Sequence, residues 1–122
     1  LPTILAATGA PAPKDYALDG TDVMPALRGG PLPNRKPLFW HFPGYLGSGK
    51  DVWRTTPAGS VRDADWKLIE FFESGKLELY DLKKDIGEKT DLAAKEPAKR
   101  DAMHAKLKDW RAAVGAKMPA KR

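Results

Sequence analysis

The sequence predicts an α+β fold: a small antiparallel four-stranded meander with one long C-terminal helix packed on it. Trp66-Lys-Leu-Ile-Glu-Phe-Phe72 and Lys76-Leu-Glu-Leu-Tyr80 flank Ser74-Gly75, which is a hairpin pattern. Met103, Leu107, Trp110 and Val114 follow at offsets of four, three and four, one stripe of a helix with about 3.6 residues per turn. That stripe needs an apolar surface to cover. Leu77 and Leu79 alternate with Lys76, Glu78 and Tyr80 and supply one. Strands followed by a helix, rather than alternating with helices, make the arrangement α+β.

The remaining elements follow in chain order. Residues 1–8 read as the end of a helix, with Pro2 in a first turn and Gly9 at the stop. Residues 10–20 form a loop that closes on Asp19-Gly20. Asp22 to Gly29 fits a short helical turn, and the prolines at 31, 33 and 37 keep the next stretch extended. Residues 38–43 are aromatic and bounded by prolines, as in a strand near a sheet edge. Residues 44–57 read as a long glycine-containing loop. Strands are expected near 58–63, 66–72 and 76–81, with a tight turn at Asp63-Ala-Asp65. Asp85 to Thr90 is a polar loop. The long helix is expected over 97–114, with Pro97 in its first turn and Gly115 at its end. This divides the chain into residues 1–36, a helix end with connecting loops, and residues 37–122, one subdomain.

Composition narrows the function classes. The chain has 122 residues, one domain's worth, and 42% of them are apolar, as in a globular protein. There is no cysteine, so disulfides and thiolate zinc sites are excluded. No apolar run approaches the roughly 20 residues of a membrane span. Leu1 starts in the middle of a pattern, as expected of a piece of a longer protein. The formal charge of +5 comes largely from lysines and arginines in the last third, interspersed with Glu96, Asp101 and Asp109. That mixture reads as a solvated helix face and argues against nucleic acid. The alternative is a stand-alone module that binds polyanions through the basic helix and the Lys50/Arg54 loop.

No complete catalytic constellation is present. His41 and His104 are too far apart for an i, i+4 metal pair. His104 lies beside the apolar stripe and reads as a boundary residue. His41 sits between Trp40 and Phe42 at a strand end, where sites are often placed. Ser48, Ser60 and Ser74 lie in no nucleophile elbow, and Gly47-Ser-Gly-Lys50 lacks the context of a phosphate loop. Asp81, Asp85, Glu88 and Asp91 suit turn capping. Lys50, Arg54 and Arg62 are cations that could meet an anion.

Six segments, in order, carry a family resemblance. They are Leu1-Pro-Thr-Ile-Leu; Leu18-Asp-Gly-Thr-Asp; Leu38-Phe-Trp-His-Phe-Pro; Val61-Arg-Asp-Ala-Asp-Trp-Lys-Leu-Ile; Leu77-Glu-Leu-Tyr-Asp-Leu; and Asp85-Ile-Gly-Glu-Lys-Thr-Asp-Leu-Ala. Together they resemble the C-terminal region of sulfatases in the alkaline-phosphatase-like superfamily. The resemblance implies a parent enzyme that hydrolyses sulfate esters with a formylglycine beside Ca2+. The Cys/Ser-x-Pro-x-Arg motif that yields formylglycine is absent here, as are the family's metal ligands. No catalytic or metal residue is therefore carried over, no cofactor is expected on this chain, and the 122 residues alone are expected to be inactive. A related phospho- or phosphonate-ester hydrolase is the other enzymatic reading. The implied partners are an N-terminal catalytic domain and a sulfated substrate such as a glycan. The implied location is periplasmic, secreted or lysosomal. The family's small sheet packs on the main domain and helps form the pocket rim. That places the loop after Pro43 at the rim, with His41, Tyr45 and Arg54 as candidate substrate-binding residues. An apolar patch involving Ile4, Leu5, Phe39 and Phe42 is expected where the parent domain would sit.

Overall fold

The computed structural model describes residues 1–16, 18–31, 33, 36–47 and 53–119, with only the backbone of Trp53 and Arg54. The chain forms two compact units, Leu1–Lys36 and Pro37–Arg122. In the first, helix α1 spans Pro2–Thr8 and stops at Gly9, whose φ of 68° places it in the left-handed region that glycine adopts without strain. Helix α2, Met24–Leu27, is a single turn. Asp22 Oδ1 accepts a 2.8 Å hydrogen bond from the Met24 amide at its start. Thr3 Oγ1 accepts another from the Val23 amide and ties the two helices together.

The second unit is the predicted α+β layer. Strands β1 (Leu38–Phe42), β4 (Ala58–Asp63), β5 (Trp66–Phe71) and β6 (Leu77–Asp81) form an antiparallel sheet in the order β1-β4-β5-β6. Helix α3, Pro97–Ala113, covers one face. Alternation decides which side chains face it. Val61 pairs with Leu68, and Leu68 with Leu79, so the three stack across the sheet. All three are fully buried, together with Met103 and Leu107 of α3. Burying five such side chains is worth roughly 1.5–3 kcal/mol each before conformational entropy is charged against it.

Three expectations change. Residues 44–57 are not wholly loop: β2 (Leu46–Gly47) and β3 (Trp53–Thr55) pair as a short bulged ribbon. Val114 does not complete the helix stripe. It follows the last helical residue, where the chain turns away at Gly115 (φ 62°), and it is 55% exposed. The buried fourth position is Arg111. Phe39 is not left bare either, because it stacks on Trp110. The exposed apolar residues of β1 are Trp40 and Phe42, on the face opposite α3, and Ile4 is exposed on α1 while Leu5 is half-buried.

Acidic residues organise the segment between β6 and α3. Asp85 Oδ2 accepts from the amides of Lys89 and Thr90, both at 2.8 Å. Asp91 Oδ1 accepts from the amides of Leu79 and Ala93, which fastens this segment along β6. Side-chain oxygens here take the place of missing backbone partners.

Candidate functional site

The candidate residues lie where β1 ends. In the sheet register His41 pairs with Gly59, and Gly59 with Glu70. All three therefore belong to the face that α3 covers. A Cβ on Gly59 would come within 3.0 Å of the Phe72 ring, so the glycine makes room for that ring. Phe72 fills the slot with its ring centroid 5.2 Å from that of His41. The Arg111 guanidinium lies 5.2 Å above Phe72 on a cation–π contact. Nε2 of His41 donates to the Lys117 carbonyl at 2.8 Å, so the strand end holds the segment after α3. Nδ1 is buried with no hydrogen-bond partner. Both ring nitrogens are thus turned into the protein.

Tyr45 follows four residues after His41. Its hydroxyl donates to Glu73 and links the loop after β1 to the segment after β5. Arg54 has its backbone in β3, and its side chain lies outside the described residues, as does the whole of Lys50. Because Leu46 pairs with Thr55 and Gly47 with Trp53, Arg54 is the bulged position of β3, and Tyr45 immediately precedes β2. The fold therefore carries Tyr45 and Arg54 on or beside one short ribbon and His41 on β1, on the face that α3 covers.

A buried polar cluster escaped the sequence reading. Glu70 Oε2 lies 2.6 Å from Arg111 Nη1, and Glu70 Oε1 lies 3.2 Å from His104 Nε2. The side chains are only 15%, 10% and 22% exposed. The separations suit ion pairing, but Glu70 Oε2, Arg111 Nη1 and His104 Nε2 lack aligned hydrogen-bond partners. The attraction is therefore mainly Coulombic. A signal was available: Glu70 has the parity of Leu68 on β5, and His104 and Arg111 are seven apart, on one face of a helix.

Many cations of the basic third already have partners. Lys106 pairs with Asp63, Arg100 with Asp101, and Lys99 lies over the ring of Trp66. Hydrogen bonding to Arg100 holds the Asp101 carboxyl below its ordinary range. Among the described residues no group of three His, Cys, Asp or Glu is arranged to hold a metal ion. Nor is any helix among them long and apolar enough to cross a membrane.

The comparisons with known proteins agree with this architecture. Residues 1–113 match the family model described as N-sulphoglucosamine sulphohydrolase, C-terminal. A sulfatase of Formosa agariphila is 35% identical, the match covering 89% of this chain and 21% of that protein. A solved 2-O GAG sulfatase superposes with a TM-score of 0.70 at 26% identity, over 94% of this chain and 24% of that one. A second solved structure, in complex with its substrate D-glucosamine-2-N,6-O-disulfate, gives a TM-score of 0.66 at 26% identity, over 90% and 22%. The chain spans about a fifth of the length of the curated relatives it matches. With its sheet, its covering helix and 113 matched residues, the chain belongs to the C-terminal domain family of N-sulphoglucosamine sulphohydrolase, a sulfatase family.

Proposed function

We propose that this chain is the C-terminal subdomain of a longer enzyme that hydrolyses sulfate esters on a glycan. The observation that carries the reading is the family match over residues 1–113. The disulfated glucosamine that a structural relative takes as substrate supports a sulfated amino sugar or a similar glycan unit. In this reading the nucleophile, a formylglycine, and the Ca2+ beside it belong to the preceding part of the protein. Together they would supply a covalent acceptor for the sulfuryl group and a Lewis acid. This chain's own part is support and substrate selection, with the preceding catalytic part as its partner.

Within the subdomain, the β2–β3 ribbon faces the substrate. Tyr45 supplies a ring for the apolar face of a sugar, and Arg54 a guanidinium for an anionic oxygen. His41, with both nitrogens turned inward, fixes the end of β1 from which this loop departs. Export to a periplasmic, secreted or lysosomal compartment accords with a glycan substrate.

The test is sulfate release by the gene product at its natural length. Turnover of a disulfated glucosamine, and a Cys/Ser-x-Pro-x-Arg motif in the sequence that precedes residue 1, are expected. Hydrolysis of phosphate or phosphonate esters in place of sulfate esters would overturn the reading.

A further inference from the structure

The sheet has two faces, and α3 covers one of them. On the other, register sets three cross-strand rows side by side: Arg62 with Lys67, then Trp40 with Ile69, then Phe42 with Phe71. Side chains in adjacent rows of one face are neighbours. The face is therefore charged at one end and apolar at the other. Trp40 and Phe42 are 50% and 42% exposed, and Trp40, Arg62 and Ile86 border one depression of about 390 Å³.

The charges of this face do not balance among the described residues. Arg62 and Lys67 are directly opposite each other, and like charges so placed are destabilising. Glu88 compensates Lys67 alone, with its two oxygens 2.7 and 2.8 Å from Nζ. Glu78, on the same face, is held by Lys76 and Tyr80. Among the described residues Arg62 has no carboxylate partner, and its side chain makes one long hydrogen bond, 3.4 Å from Nε to the Ala64 carbonyl. The sheet alone would be better served by an acid at position 62, opposite Lys67.

We propose that the part of the protein preceding residue 1 packs on this face and presents a carboxylate to Arg62, with apolar side chains seated on Trp40 and Phe42. The chain spans about a fifth of the length of the curated relatives it matches, so a far larger body is at hand to cover the face. Covering the aromatic end removes apolar surface from water. Covering a guanidinium with it is unfavourable unless an anion meets the charge. The fork of Arg62 suits the two oxygens of an Asp or Glu side chain, and the depression beside Trp40 leaves room for one. The pair also fixes the register of the contact, which apolar groups alone leave free to slide. A second copy of this chain is the weaker fit, because Glu78 and Glu88, the carboxylates it would bring on this face, are already engaged. The proposal rests on the reading of the chain as the C-terminal part of a longer enzyme, and adds the charge by which that enzyme holds it.

The test uses the natural-length protein labelled with 5-fluorotryptophan. The Trp40 resonance is identified by its loss in Trp40→Phe. A soluble nitroxide should broaden it at least tenfold less than in the urea-unfolded protein. Arg62→Glu then decides by sign. Within the sheet it replaces a repulsion with an attraction to Lys67, so an uncovered face should keep or raise its unfolding midpoint. Against a docked carboxylate it should lower the midpoint and raise the broadening of Trp40 at least fivefold. Should Arg62→Glu not fold, Arg62→Lys carries the test. A carbodiimide joins an amine to a touching carboxylate with no spacer, and should link position 62 to an Asp or Glu that precedes residue 1. A link confined to residues 1–122, or none, overturns the proposal, as does a midpoint that stays or rises in Arg62→Glu. Shielding of Trp40 that appears only with added D-glucosamine 2-N,6-O-disulfate assigns the face to a ligand, and shielding lost on dilution assigns it to a second copy; either overturns the proposal. Sulfate release is measured separately on the wild type. Release with an unshielded Trp40 loses only the docking face. A shielded Trp40 linked as expected, without release, loses only the enzymatic reading.

Discussion

Phe39 of β1 and Trp110 of α3 stack with ring centroids 5.0 Å apart and planes 4° from parallel. The contact joins the edge strand of the sheet to the helix that covers it. Trp110→Ala should therefore destabilise the protein by about 3 kcal/mol or more, through lost area and an unfilled cavity. Trp110→Phe, which keeps a ring against Phe39, should cost less than half of that. Urea unfolding of the two variants measures the difference. Equal losses would mean that a ring kept against Phe39 recovers nothing, so the stack is not the source of the stability.

The Glu70–Arg111 pair makes the opposite kind of prediction. Removing one member leaves a poorly solvated charge, so Glu70→Leu or Arg111→Leu alone should cost roughly 3 kcal/mol. The double variant should recover much of the loss, because apolar side chains can replace a buried pair at little net cost. Unfolding midpoints of the three variants give the coupling. Additive losses would show that the contact is not energetically coupled.

Much of the fold is legible in the sequence, for a clear reason. The hairpin at Ser74-Gly75 and the leucines at 77 and 79 fix sheet register by parity, and register fixes which face is buried. The helix stripe was legible to Trp110. It failed at Val114, because periodicity does not say where the sheet beneath ends. Arg111 is not legible as a buried residue, because a charge at an inward position reads as solvated until its partner is known, and that partner, Glu70, is 41 residues away in the chain. The β2–β3 ribbon lies among glycines, with two and three residues per strand, too few to establish alternation. Of the candidate site, the position of His41 at a strand end was readable. The direction of its ring was not, since that depends on Gly59, Phe72 and Lys117 from three distant segments.

Tyr80 sets a limit at alkaline pH. Burial, followed by its 2.9 Å hydrogen bond to Glu78, raises its pKa well above the ordinary value. In the unfolded chain the phenol ionises near pH 10, while the folded protein holds the proton. The stabilisation is therefore fully present below about pH 10 and is lost as the pH climbs toward the folded value. Lysines titrate in the same range, so the comparison needs Tyr80→Phe. The wild type should lose more stability than the variant between pH 9 and pH 11 in urea unfolding. Parallel losses would remove Tyr80 as the cause.

Residues 1–122 alone should show no turnover of an aryl sulfate, with or without added Ca2+. The proposed nucleophile and metal ligands belong to the preceding part of the protein, and without them the sulfuryl group has neither acceptor nor Lewis acid. Calcium-dependent turnover by the purified chain would contradict this division of labour.

The last prediction separates contact from support at the ribbon. In the natural-length enzyme, Tyr45→Phe removes only the hydroxyl that bonds Glu73, whereas Tyr45→Ala removes the ring. If the ring covers a sugar face, Tyr45→Ala should lower kcat/KM for a sulfated oligosaccharide about tenfold or more, and Tyr45→Phe should lower it little. Arg54→Ala should act in the same direction, and a small aryl sulfate should be nearly unaffected by all three, since it reaches neither residue. His41→Ala should behave differently. Its ring is packed on Phe72 and bonded to Lys117, so its loss should lower the unfolding midpoint and depress both substrates together. A His41→Ala enzyme with unchanged stability and a loss confined to the oligosaccharide would mean that the ring turns outward to meet the substrate. Equal losses on both substrates for Tyr45→Ala and Arg54→Ala would assign the ribbon to folding rather than to substrate choice.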